Sequence, residues 1–230
     1  MKIVILAGGY GTRLAEETNK LPKPMIRIGG IPIISHIINH YKKFNFSEVI
    51  ICAGYKKEVI ENYFNNQKQI KVVDTGLDTQ TAARLKKIKE FVKNDENFFM
   101  TYGDGISNVN INDLTKFHKK YNKIATLTAV RPIPRFGHIT LQDDKVIKFK
   151  EKDYLSQGWI NGGFFVLNKK VFNYIGDNQD CIFEKEPLEN LSKDGELMAF
   201  RHESFWHPVD TLRDKNYLNK LHDNGNAPWL

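Results

Sequence analysis

Lys2–Ala7 (KIVILA) is an unbroken apolar run, and it empties at once into Gly8-Gly9-Tyr10-Gly11-Thr12-Arg13-Leu14. Leu21-Pro22-Lys23-Pro24-Met25 follows a few residues later. The apolar run reads as a buried strand, and the glycines after it let the backbone pass close to a ligand because no Cβ stands in the way. Amide N–H groups turned toward that gap make an anion cradle, with Arg13 and Lys23 adding fixed positive charge. The combination suits a polyphosphate. Two common phosphate fingerprints do not fit: Leu14 stands where the dinucleotide motif needs its third glycine, and no GxxxxGK[ST] occurs. Taken alone, the glycine turn also reads as a tight strand-to-helix connection.

Strands are expected over Glu48–Ala53, Ile70–Val73 and Phe98–Tyr102. Helices are expected from Pro32 to about Phe44, near Lys57–Asn65, and from Asp78 to Val92. This βαβαβαβ alternation argues an α/β fold with a doubly wound, mostly parallel sheet. Ligands of such sheets lie beyond the carboxyl ends of the strands, where the glycine loop and Asp104 emerge. The second half changes character. Ile111–Tyr121 is helical, and strands are expected over Ile124–Val130, Gly137–Leu141, Lys145–Phe149 and Phe164–Leu167, with a hairpin turn at Gln142-Asp143-Asp144. Helices near Lys170–Ile175 and Glu184–Ser192, an edge strand over Glu196–Phe200 and a helix from Leu212 to His222 complete the chain. No linker or repeat divides it. One domain is expected over residues 1–230, with a nucleotide-binding half to about residue 122 and a small mixed β acceptor-binding half beyond.

The 230 residues are 41% hydrophobic and 27% charged, a composition ordinary for a globular domain of this size. The longest apolar runs are too short to span a bilayer, and the N-terminus lacks a signal-peptide pattern. Cys52 and Cys181 imply no disulfide framework, so a cytoplasmic home is expected. The net charge of +7 is spread as lysine pairs along helices rather than gathered in a basic arm, which argues against nucleic acid as a partner.

Asp104 lies between glycines at a strand end (Tyr102-Gly103-Asp104-Gly105), and Asp210 stands in Pro208-Val209-Asp210-Thr211 before the last helix. Each can be a magnesium ligand, since Mg²⁺ takes one or two carboxylates and leaves its other positions to phosphates and water. Each can equally be local: an Asx turn for Asp104, a helix N-cap for Asp210. His207, beside Trp206 and Pro208, reads as a packed or surface residue. The histidines and cysteines show no metal-ligand spacing. Thr12 and Ser35 have no evident histidine–acid partner for covalent catalysis.

GGxGTRL, LPKPM, TYGDG, Glu151-Lys152, Ile160–Leu167 (INGGFFVL) and FWxPxDTLRDK occur in order along nearly the whole chain. The set resembles the sugar-phosphate nucleotidyltransferases, and among them the cytidylyltransferases. The resemblance implies a Rossmann-like core that transfers CMP from CTP to a phosphorylated small molecule, with one Mg²⁺ held by Asp104 and Asp210. It places Leu6, Ala7, Gly8, Gly9, Gly11, Thr12, Arg13, Lys23, Thr81, Arg84, Gly103 and Asp104 around the nucleotide. It places Tyr102, Glu151, Lys152, Asn161 and Asp210 around the acceptor. Arg13, Lys23 and Lys152 carry the catalytic charge, and Arg84 is expected at the cytosine. Its donors would meet the carbonyl and N3 acceptors, whereas uracil and thymine present N3–H. Two departures bear on the acceptor. The chain is short between Phe64 and Val73, and Asp153 replaces a proline after the Glu-Lys pair. Sugar 1-phosphates, glucose 1-phosphate first, are the expected acceptors. A glycerol phosphate stays open, as does a non-catalytic nucleotide sensor, and a homo-oligomer is expected.

Overall fold

The computed structural model describes residues 1–44, 46–132, 136–151 and 158–230. Ile3–Ala7 forms β1, with all five residues buried. Ile3, Ile5 and Ala7 pack into one hydrophobic cluster, while Val4 and Leu6 pack into another. Successive side chains of a strand alternate across the sheet, so a strand covered on both faces must be apolar throughout.

From β1 the chain makes a 3-10 turn at Thr12–Leu14, the short α1 (Ala15–Thr18) and a second 3-10 turn at Lys23–Met25. The ribbon β2 (Arg27–Ile28) and β3 (Ile31–Pro32) leads to α2 (Ile33–Lys42), β4 (Val49–Ala53), α3 (Lys57–Phe64) and β5 (Ile70–Asp74). Then come α4 (Thr81–Lys87), α5 (Lys89–Val92), β6 (Asn97–Tyr102), β7 (Gly105–Ser107), α6 (Ile111–Tyr121) and β8 (Ala125–Val130). The hairpin β9 (His138–Gln142) and β10 (Lys145–Lys150) precedes β11 (Ile160–Asn168) and a 3-10 segment, Lys169–Tyr174. Last are α7 (Glu186–Lys193), β12 (Leu197–His202), β13 (Trp206–Pro208) and α8 (Leu212–Asp223).

The central sheet has the order β12-β8-β11-β6-β1-β4-β5. β1 is parallel to β4 and β6, β4 to β5, and β8 to β12; β11 alone runs antiparallel to its neighbours β6 and β8. The chain steps outward from β1 to β4 and β5, then returns to β6 on the other side of β1. The winding therefore reverses between β1 and β6, and the crevice at their carboxyl ends is where such sheets bind ligands. Residues of α2, α3, α6 and α8 join the cluster on one face; those of α4, α5 and α7 join the other.

The expected α/β class and mixed second half are present, while three of the expected helices differ. The helix expected from Asp78 starts at Thr81 and breaks at Ile88. Residues 75–80 are instead held as a loop: Lys87 donates to the Thr75 carbonyl, and Arg84 to those of Gly76 and Leu77. Lys169–Tyr174 is a 3-10 segment. The helix expected from Glu184 starts at Glu186, with Pro187 in its first turn, the position where a missing N–H costs least. Both cysteines are free, and burial pushes the Cys52 thiol up to about 12, fitting an inert core residue. Among the described residues no helix is long and apolar enough to cross a membrane.

Candidate active site

The carboxyl end of β1 delivers the glycine loop to the switch point. Gly11 has φ +66°, and a Cβ there would sit 2.9 Å from Thr18 Cγ2 and 3.0 Å from Lys23 Cβ. The turn therefore needs glycine twice over, for its backbone and for the close approach of Lys23. Gly9 is exposed with open space around it, as are Thr12 and Arg13 on the outer lip. One strand away, the Gly103 amide donates to the Leu6 carbonyl at 3.0 Å. A Cβ on Gly103 would meet Pro24 Cγ at 3.0 Å, so the Lys-Pro-Met segment packs directly against the Gly-Asp-Gly turn.

A small ribbon brings the two distant aspartates together. β13 pairs antiparallel with β7, with Pro208 opposite Gly105 and His207 opposite Ile106. The Val209 amide then donates to the Asp104 carbonyl at 2.9 Å, which aligns Asp210 with Asp104. Asp210 is not the helix cap. Thr211 caps α8 through a capping box with Asp214, leaving the Asp210 carboxylate to face inward. Lys23 Nζ lies 2.6 Å from Asp104 Oδ2 and 2.8 Å from Asp210 Oδ1, and Arg13 reaches Asp210 Oδ2 at 3.1 Å. Lys23 is only 7% exposed. Burial opposes its charge, but the two carboxylates outweigh that cost and hold its pKa above the ordinary lysine value. Residues 13, 23, 104 and 210 thus form one charged cluster at the switch point.

Two aspartates on one buried ammonium suit a magnesium site of the open kind, which draws further oxygens from phosphates and water. No group of three or more His, Cys, Asp or Glu side chains that could hold a metal is found among the described residues, so a closed protein cage is not what these residues build.

Arg84 is 4% exposed and lies behind the glycine loop. It donates to the carbonyls of Gly8 (2.9 Å), Gly76 (2.6 Å), Leu77 (2.9 Å) and Ala53 (3.3 Å), and to Thr75 Oγ1 (2.8 Å). A Cβ on Gly8 would fall 2.1 Å from its guanidinium. Glycine at position 8 is therefore required by this arginine. Donation from Arg84 to a base would compete with bonds that tie β1, β4 and the 75–80 loop together. Tyr10 adds a tie from the outside, donating to Asp78 Oδ1 at 2.6 Å.

On the acceptor side, the Tyr102 ring packs over Gly163, whose Cβ would lie 2.6 Å from Tyr102 Cδ2, in the irregular stretch of β11. Asn161 Nδ2 donates to the Tyr102 hydroxyl at 3.4 Å, and Trp206 Nε1 donates to the Gly162 carbonyl at 2.7 Å. The Tyr102 hydroxyl donates in turn to Glu184, whose other oxygen accepts from Thr81 Oγ1 at 2.7 Å. Burial and then the Glu184 charge raise the Tyr102 pKa, so its proton stays in place. Glu151 stands apart at the base of the β9–β10 hairpin beside Gly137, and it makes no hydrogen bond to Tyr102 or Asn161. Lys152 lies outside the described residues. Glu184, which the sequence places at the start of an expected helix, is the residue of this network that sequence reasoning missed; Pro187, which favours the first turn of a helix, was the available sign that the helix starts later and leaves Glu184 outside it. His207 is buried, its ring 5.0 Å from that of Tyr217.

The Nucleotidyl transferase family profile matches residues 2–217. The chain is 46% identical over 254 aligned positions to glucose-1-phosphate cytidylyltransferase of Salmonella typhi, covering 100% of this chain and 98% of the relative. An alignment longer than 230 residues means that the relative carries segments this chain lacks. It is 32% identical to D-glycero-alpha-D-manno-heptose 1-phosphate guanylyltransferase of Aneurinibacillus thermoaerophilus, over 82% of this chain and 84% of that one. The crystal structure of HddC from Yersinia pseudotuberculosis superposes with a TM-score of 0.76 at 21% identity, over 96% of this chain and 99% of that one. That likeness is of fold. With full-length relatives at these identities and a profile match over most of its length, the chain belongs to the nucleotidyl transferase family.

Proposed function

We propose that this protein transfers CMP from CTP to a sugar 1-phosphate, glucose 1-phosphate in the first place, giving a CDP-sugar and pyrophosphate. The observation that carries the chemistry is the convergence of Lys23 and Arg13 on Asp104 and Asp210 beside the glycine loop. The support for cytosine and glucose is the full-length identity to the Salmonella typhi enzyme of that name. Residues to about 122 form the nucleotide half and those beyond it the acceptor half of one domain.

In the reaction an oxygen of the acceptor's phosphate attacks the α-phosphorus of CTP. A new P–O bond forms as the bond to the bridging oxygen breaks, and pyrophosphate departs with that electron pair. A phosphate is already anionic at neutral pH, so no general base is needed, and the barrier is one of charge repulsion and alignment. Leu6, Ala7, Gly8, Gly9, Gly11 and Thr12 present backbone to the triphosphate, with Gly103 across the crevice. Lys23 and Arg13 turn from the aspartates to the phosphate oxygens. Asp104 and Asp210 would hold Mg²⁺, which supplies charge neutralisation at the phosphates when bound. Thr81 and Arg84 are assigned to the base, and Tyr102, Asn161, Glu151 and Lys152 to the acceptor.

The same reading takes the working enzyme as a homo-oligomer. Its support is the β9–β10 hairpin, which carries Ile139, Leu141, Val146 and Phe149 between 46% and 63% exposed. A two-stranded ribbon with an uncovered apolar face is marginal alone in water. Sedimentation of the purified protein tests this, and a monomer at micromolar concentration overturns it.

The test of function is a screen of nucleoside triphosphates against sugar 1-phosphates and polyol phosphates, read by pyrophosphate release. CTP with glucose 1-phosphate should give the highest kcat/KM. A clear preference for UTP or dTTP overturns the assignment of Arg84 to cytosine, and binding of CTP without turnover overturns the enzyme.

A further inference from the structure

Glu184 is the residue at this edge of the sheet that the chemistry above leaves without a task. Every hydrogen bond around it points its way. The Phe183 amide donates to Thr81 Oγ1 at 2.8 Å and Thr81 donates to Glu184 Oε2; Asn161 donates to Tyr102 and Tyr102 donates to Glu184 Oε1. Both hydroxyl protons are committed to the carboxylate, which fixes its position from the nucleotide side (α4) and from the acceptor side (β6 and β11). Among the described residues no lysine or arginine pairs with Glu184, and it is exposed on its remaining side.

A carboxylate has about four lone-pair sites, and here each oxygen accepts one internal hydrogen bond. The other sites face out at the ligand edge. A negative charge is of no use to a triphosphate or to the acceptor's phosphate, which it repels. It is of use to neutral hydroxyl groups, which it accepts more strongly than an amide or a hydroxyl would.

We propose that Glu184 is a specificity-determining residue for the acceptor, held by Thr81 and Tyr102 so that its free lone pairs accept hydroxyl groups of a polyhydroxylated phosphate. The proposal rests on the sugar 1-phosphate reading and deepens it. It names the part of the acceptor that is recognised: the neutral, hydroxylated end rather than the phosphate. A smaller polyol phosphate that cannot span from the charged cluster to Glu184 is selected against.

The test is a residue-and-ligand cycle. Wild type and E184Q are assayed with CTP and glucose 1-phosphate, then with its 2-, 3-, 4- and 6-deoxy analogues. E184Q should raise the KM for glucose 1-phosphate about 10-fold, the loss expected of one charge-assisted hydrogen bond, and leave the KM for CTP within about twofold. For the analogue lacking the recognised hydroxyl, the E184Q penalty should vanish. A penalty equal across all analogues, or an equal rise for CTP, marks a merely structural residue and overturns the proposal. Y102F, which removes one of the two pins and leaves the carboxylate, should give a smaller effect and serves if E184Q is poorly folded. Glucose 1-phosphate binding by calorimetry gives the comparison without turnover. Absence of turnover in the wild type then defeats the cytidylyltransferase reading alone, and equal binding by wild type and E184Q defeats the role of Glu184. A wild type that binds no sugar 1-phosphate defeats both.

Discussion

Lys23 holds the site together before any chemistry, because its ammonium is what keeps two carboxylates from facing each other across a partly buried crevice. Removing one partner of a buried ion network leaves the others uncompensated, which costs more than the network's net contribution. Asp104 is one-third exposed and water relieves part of that cost, so K23M should lose about 2 kcal/mol by urea denaturation rather than the full range for buried pairs. A divalent ion bound by the two freed carboxylates replaces the lost charge. Millimolar Mg²⁺ should therefore raise the Tm of K23M more than that of wild type, in the manner of any ligand that binds only the folded state. An unchanged difference with and without Mg²⁺ would remove Asp104 and Asp210 from the metal assignment. D104A tests the same carboxylate by activity. Its kcat should fall on the order of 10²-fold, typical of losing a preorganised electrostatic element, with the Tm near that of wild type. Near-normal Mg²⁺-dependent turnover would show that Asp104 has no such part.

At the scale of elements, Arg84 works as a bracket. Its five hydrogen bonds tie the ends of β1 and β4 to the loop before α4; Gly8 is glycine because the guanidinium lies against it, and Gly54 because the guanidinium and the carbonyls of Gly76 and Gly8 all crowd its Cβ position. G8A should cost about 1–3 kcal/mol, as overpacking of a full interior does. In an R84A background the same substitution should cost far less, because the clash has gone. Additive losses in urea denaturation of the four proteins would mean that the loop is held by something else. This bracket also marks where sequence reasoning ends. The apolar strands, the α2 and α6 helices and the glycine loop were legible because each is written in local periodicity and turn chemistry. The meeting of Asp104 with Asp210 was legible as chemistry but not as geometry. It depends on the three-residue ribbons β7 and β13, too short to leave a period of their own. The late start of α4 was hidden for a related reason. Asp78 to Val92 has helical spacing, but Arg84 and Lys87 capture carbonyls of the preceding loop from within the helix, and tertiary bonds override propensity there.

Across the whole molecule, the face of the sheet covered by α2, α6 and α8 is stitched by histidines that must stay neutral. His36 Nε2 meets the Ile28 carbonyl at 2.9 Å while its Nδ1 accepts from Trp229 Nε1 at 3.2 Å, so a proton on Nδ1 would break the tie to the C-terminus. His40 Nε2 meets the Val109 carbonyl at 2.8 Å, and its buried Nδ1 has no hydrogen-bond partner among the described residues. His118 bridges Thr126 and Asn97, and His202 meets Ser107 and the Phe205 carbonyl. Burial lowers all four, bringing His40 and His118 to about 4. A folded-state pKa depressed below the unfolded value of about 6.5 contributes stability that is present above pH 6.5 and lost as pH falls toward the folded value. Each unit of depression corresponds to about 1.4 kcal/mol, so His40 and His118 should each cost about 3 kcal/mol once the pH is below about 4. The exposed carboxylates Asp74, Glu90 and Asp177 are held below the ordinary carboxylate range by hydrogen bonds from their lysine partners, so the interval above that range belongs to the histidines. Urea midpoints should be level above about pH 6.5 and fall steadily from there to pH 4.5. H40Q and H118Q should each be less stable than wild type at pH 7.5 yet lose less on acidification, so that the curves converge. Parallel curves for wild type and both variants would mean that the acid sensitivity of this fold lies elsewhere, and that these rings are packed without being tuned.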